Sequence, residues 1–132
     1  MARVLVADTD KAVRDLVRLR LSAWGHEVVP FADGRSALQA WREDHFDLAL
    51  MAVDLPRTSG LDVLRAIRAT GSADQPTVVL MSDSHRNGEA SVAYELGADE
   101  FVLKPFTLGF LTSFASALLA DTTAGDRDAL PA

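Results

Sequence analysis

Cysteine is absent from this chain, which excludes disulfides, thiolate metal centres and cysteine nucleophiles. Long apolar runs are missing too. No uncharged stretch approaches the roughly 18 residues of a membrane-crossing helix, and Met1 to Asp8 lacks the apolar core of a signal peptide. A cytoplasmic protein with no membrane contact is expected. Positive charge is scarce, with 13 Lys and Arg against 19 Asp and Glu, a net charge of −6. Binding phosphates needs a basic patch, so nucleic acid is not expected as a partner of this chain alone. No glycine-rich turn follows the first apolar run, which leaves a dinucleotide or P-loop phosphate cradle unsupported.

What is present is the material of one soluble domain. The 132 residues are 48% hydrophobic and 24% charged, enough to bury roughly two-thirds of the unfolded surface without staples. Short runs rich in Val, Leu and Phe recur at Val4–Ala7, Val28–Phe31, Leu48–Val53, Val78–Met81 and Phe101–Leu103. Leu48–Val53 has no polar alternation, the mark of a strand buried on both faces. Between the runs, apolar residues fall three and four apart. Val13, Leu16, Val17 and Leu21 make one stripe; Ala37, Leu38 and Trp41 follow Asp33, a candidate N-cap. Leu61, Leu64 and Ile67 stop at Gly71, and Val92, Ala93 and Leu96 stop at Gly97. Trp24 and Trp41 read as core or core-edge fillers, and Arg14, Arg18 and Arg57 as a solvated face. The alternation predicts an α/β fold: a five-stranded parallel sheet, doubly wound, with helices on both faces. The domain is expected to span residues 1–120, with 121–132 a polar tail or linker.

In such a sheet, ligands and reactive groups gather at the carboxyl ends of the strands, near the switch in strand order. Asp8-Thr9-Asp10 follows the first strand; Ala52 and Val53 close the third, before Asp54-Leu55-Pro56. Ser82-Asp83-Ser84 follows the fourth and Lys104-Pro105-Phe106 the fifth. Carboxylates, a hydroxyl and one ammonium thus converge, a set suited to a divalent cation or to a phosphoryl anion balanced by lysine. Taken singly, an Asp at a strand end is most often a turn former or cap. Lys104 stands out, since only Lys11 and Lys104 are lysines beside 11 arginines; a compact point charge is wanted there.

Three stretches, Arg3–Asp8, Asp54–Leu64 and Gly97–Phe106, resemble the receiver domain of two-component response regulators, a flavodoxin-like (βα)5 fold. The resemblance covers about residues 3–120. It implies an acidic pair holding Mg²⁺ after the first strand and an aspartate ending the third that takes a phosphoryl group from a histidine kinase. It also implies a hydroxyl at Ser82, a phosphate-contacting lysine at Lys104, an aromatic switch at Phe101 and a cis bond before Pro105. Two departures stand against it. The acceptor position, four residues before Pro56, falls on Ala52, and the acidic pair becomes Asp8-Thr9. The pocket residues are therefore Asp8, Thr9, Asp10, Asp54, Ser82, Asp83 and Lys104. Any Mg²⁺, held by Asp8, Asp10 and Asp54, should bind weakly or not at all, and no cofactor is required. Lys104 is expected to pair with Asp8 or Asp83. The reading that follows is a protein-interaction module, not an enzyme, that works without aspartyl phosphorylation. The alternative is a phosphorelay receiver using a displaced carboxylate such as Asp54.

The last stretch, about 107–120, carries no charge. Leu108, Leu111, Ala115 and Leu118 should face the sheet. Phe110 and Phe114 lie four apart on another side, either widening the core edge or offering a patch to a protein partner or a second copy beside the fifth strand. His26, His45 and His85 are scattered and suggest no metal triad.

Overall fold

The computed structural model describes residues 1–83, 88–104, 109, 110, 113 and 117. Five strands, β1 (Arg3–Ala7), β2 (Glu27–Phe31), β3 (Leu48–Ala52), β4 (Thr77–Ser82) and β5 (Glu100–Leu103), form one sheet in the order β2-β1-β3-β4-β5. Every pairing is parallel. Helices α1 (Lys11–Ala23), α2 (Gly34–Glu43), α3 (Gly60–Ala69) and α4 (Glu89–Glu95) connect them. Of the final uncharged stretch, residues 109, 110, 113 and 117 are helical.

Side-chain alternation along the strands divides the core in two. Val4, Val6, Leu48, Leu50, Val79 and Met81 pack with Val17 and Leu21 of α1 on one face. Leu5, Ala7, Ala49, Met51, Val78 and Leu80 pack with α2, α3 and α4 on the other. All five residues of β3 are buried, as its unbroken apolar run requires of a central parallel strand. Asp33 caps α2 through the Ser36 amide, and Ser59 caps α3 through the Asp62 amide. The Ser36 amide holds the Asp33 carboxyl below its ordinary range.

Three apolar residues lie farther out than the core positions expected of them. Leu16 is half-exposed, because the row of α1 that meets the sheet is Val17 and Leu21, one residue round from it. Trp24 is also half-exposed: it is the C-cap of α1, where Gly25, at φ 90, turns the chain away. Val92 is exposed because α4 turns Ala93 to the core instead. Trp41 packs at the core edge as expected.

Candidate functional site

Register brings four strand ends to one edge. Ala7 lies beside Met51, Ala52 beside Met81, and Ser82 beside Leu103, so Asp8, Ala52, Ser82 and Lys104 meet there. A cavity of about 70 Å³ is lined by Asp8, Thr9, Ala52, Asp54, Met81, Ser82, Asp83 and Lys104. It lies at the β1/β3 switch point, where neighbouring crossovers leave in opposite directions.

Each wall has a local cause. Asp8 is buried at 1% exposure, and its amide donates to the Phe31 carbonyl at 3.1 Å, which fixes the turn out of β1. Its Oδ1 accepts from the Asp10 amide at 2.9 Å, and its Oδ2 accepts from Lys104 Nζ. Lys104 is anchored by its own amide, which donates to the Ser82 carbonyl at 2.7 Å. The chain leaving β3 is held at both sides: the Val53 amide donates to Met81 O of β4 at 2.8 Å, and the Gly60 amide donates to Val53 O at 2.9 Å. A Cβ at Gly60 would lie 2.2 Å from the Ala52 carbonyl oxygen, so only glycine lets α3 start this close to β3. Asp54, on that turn, is exposed.

The methyl of Ala52 is 5% exposed and forms part of the cavity wall. No atom of it can attack phosphorus or bind a cation. Around it stand three carboxylates, of which Asp8 is neutralised by Lys104. Among the described residues, the Lys104 ammonium pairs with Asp8 and not with Asp83.

The receiver-domain family of response regulators matches residues 4–115 of this sequence. The chain is a response regulator receiver domain. It is 40% identical over 124 residues to the response regulator MprA of Mycolicibacterium vanbaalenii, covering 94% of this chain and 53% of that protein. It is 38% identical over 127 residues to the MprA of Mycobacterium ulcerans, covering 96% and 54%. The receiver thus spans about half the length of these relatives. Among solved structures it is similar to a beryllofluoride-activated DrrB receiver domain, at 28% identity and a TM-score of 0.79, covering 90% of this chain and 97% of that one. It is similar also to the Vibrio cholerae chemotaxis protein CheY4, at 25% identity and a TM-score of 0.81, covering 89% and 98%. Both the flavodoxin-like architecture and the place in two-component signalling follow from these likenesses.

Not every residue picked out as a pocket member lines the receiver's cavity. Asp10 does not: it is the N-cap of α1, its Oδ1 accepting from the Ala12 amide at 2.9 Å. Thr9 takes a place on the rim. One contributor is not evident from sequence, and another has a different role from the one expected. Met81 is a wall, and its inward position follows from β4 alternation. Arg14, read as part of a solvated face, is instead part-buried and donates through one guanidinium nitrogen to the carbonyls of Asp8 at 2.7 Å and Thr9 at 3.1 Å. Its place in the first turn of α1, beside the loop it ties down, was the available signal. Phe101 is partly buried against the core, and its amide donates to Tyr94 Oη at 3.1 Å.

The donor set does not fit a resident divalent cation well. Asp8 is bound to Lys104, Asp10 is used as a cap and Thr9 is neutral. Among the described residues no three His, Cys, Asp or Glu gather as a metal centre, and no helix is long and apolar enough to cross a membrane. Pro105, Phe114 and His85, with Leu108, Leu111, Ala115, Leu118 and residues 121–132, lie outside the described residues. Phe110 is half-exposed and Ala117 exposed.

Proposed function

We propose that this receiver signals through protein contacts without aspartyl phosphorylation, and that it is a binding module, not an enzyme. The supporting observation is the Ala52 methyl in the wall of the strand-end cavity. In-line phosphoryl transfer needs an oxygen nucleophile there, and alanine has none. The Lys104–Asp8 pair supplies what a phosphoryl group would otherwise organise: a fixed link between the ends of β5 and β1. Mg²⁺ binding is weak, because a cation must displace that ammonium and then finds a neutral Thr9 where a second carboxylate would sit. The domain works in the cytoplasm, alone or joined to an output segment, with a histidine kinase or another protein as partner. The half-exposed Phe110 supports docking, or pairing of two copies, through the last helix beside β5.

A second reading rests on Asp54, which lines the same cavity from the turn after β3 and would serve as a displaced acceptor. Titration with Mg²⁺ and beryllofluoride, an acyl-phosphate analogue, separates the two when followed at the Ser82 and Lys104 amides. No saturable shift is expected. A saturable shift that disappears in Asp54→Ala would establish the second reading.

A further inference from the structure

At the opposite end of the sheet from the strand-end cavity, His45 stands between two carboxylates. Its Nε2 lies 3.0 Å from Asp47 Oδ1 and its Nδ1 3.2 Å from Asp74 Oδ2. Asp47 precedes β3, and its other oxygen accepts from the Arg3 amide at 2.8 Å, so it belongs to the rigid edge of the sheet. Asp74 belongs to the loop between α3 and β4. Beside this bridge lies a second groove of about 310 Å³, walled by Trp41, Arg42, Glu43, Asp44, His45, Ser72 and Asp74. The imidazole therefore ties Asp74, in one wall of that groove, to the sheet edge, while Ser72 and Gln75 of the same loop are held to α3 and its C-cap.

A neutral imidazole carries one N–H and can donate to one carboxylate only; donating to both takes the imidazolium. We propose that His45 is a proton-operated clasp, which holds the Asp74 wall of the Trp41 groove to the sheet edge when charged and releases it when neutral. Burial and bonding decide which arm opens. The Asp47 side chain is 25% exposed and already pinned to β1, whereas that of Asp74 is 78% exposed and rehydrates at little cost. Losing the proton frees Asp74.

The surrounding charge agrees. Arg42, Glu43 and Asp44 line the same groove from α2 and its exit, while Asp74 from the loop and Asp47 from the sheet edge touch the ring. From β1 comes Arg3, which donates to the His45 carbonyl at 3.4 Å and spends its guanidinium charge on Glu27 and Asp44. The bond to Glu27 holds the Arg3 guanidinium above its ordinary range, so Arg3 stays charged throughout. Asp47 and Asp74 are thus left for the imidazolium.

The test is backbone NMR of the full chain between about pH 5.5 and 8.5, the span in which histidine changes charge. In the wild type the amide shifts of Ser72, Ala73 and Asp74 should move with pH. In His45→Gln that movement should be lost. In Asp74→Ala, which removes the acceptor, the Ser72 and Ala73 shifts should no longer move with pH. Loop shifts that stay flat in the wild type, or that still move in His45→Gln, would overturn the clasp.

Discussion

The ammonium of Lys104, just past β5, donates to the carboxylate of Asp8, just past β1, and so bridges the two strand ends that flank Ala52 and Ser82. Asp8 is almost wholly buried and Lys104 about four-fifths so. Removing one member of such a pair strands a charge that has already left water.

Lys104→Met should therefore destabilise the domain by about 3 kcal/mol, the lower end of the range for a broken buried pair because the lysine retains some exposure. Urea denaturation measures it. Asp8→Asn added to Lys104→Met should cost less than the two single changes together, since the double variant leaves no unpaired charge. Strict additivity would mean that the pair contributes nothing as a pair.

Gly60→Ala tests the joint between β3 and α3. Its Cβ would meet the Ala52 carbonyl oxygen at 2.2 Å, so α3 must shift or the turn must strain. A loss of about 1–3 kcal/mol is expected, as for overpacking elsewhere. Because Ala52 lies in the cavity wall, the shift should also perturb the Ser82 and Lys104 amides. An unperturbed spectrum would show that α3 does not fix the cavity.

His26 predicts a pH dependence of definite sign. Its Nδ1 accepts from the Ala2 amide at 3.0 Å, and burial holds its pKa below the ordinary histidine value. The unfolded chain therefore binds a proton more readily than the folded one. Stability is complete above about pH 6.5, the unfolded value, and falls as the pH drops through the lower folded value. Thermal melts from pH 8 to pH 5 should lose this step in His26→Leu. Comparing the wild type with His26→Leu isolates the His26 step, and the His45 clasp is read from the loop shifts.

Much of the fold was legible because buried parallel strands are written as apolar runs: all five appear within a residue or so of their observed bounds. The capping role of Asp33 and the stop at Gly71 were local signals too. Spacing alone misjudged Leu16 and Val92, since periodicity gives an apolar stripe but not which row of it meets the sheet, and Trp24 lies out at the C-cap of α1. The strand ends could be listed from sequence, but their convergence depends on register. The split between Asp8, drawn into the cavity, and Asp10, spent on α1, depends on a turn whose bonds no motif encodes. The His45 bridge was invisible for the same reason: Asp74 lies in a different connection, brought near only by the folded sheet.

The most direct measurement is intact mass spectrometry of the purified chain after incubation with acetyl phosphate and Mg²⁺. The mass is expected to be unchanged, because Ala52, which ends β3, presents only a methyl to the cavity. A phosphoryl adduct on the wild-type chain, mapped to Asp54 or to any other carboxylate of the cavity, would contradict it.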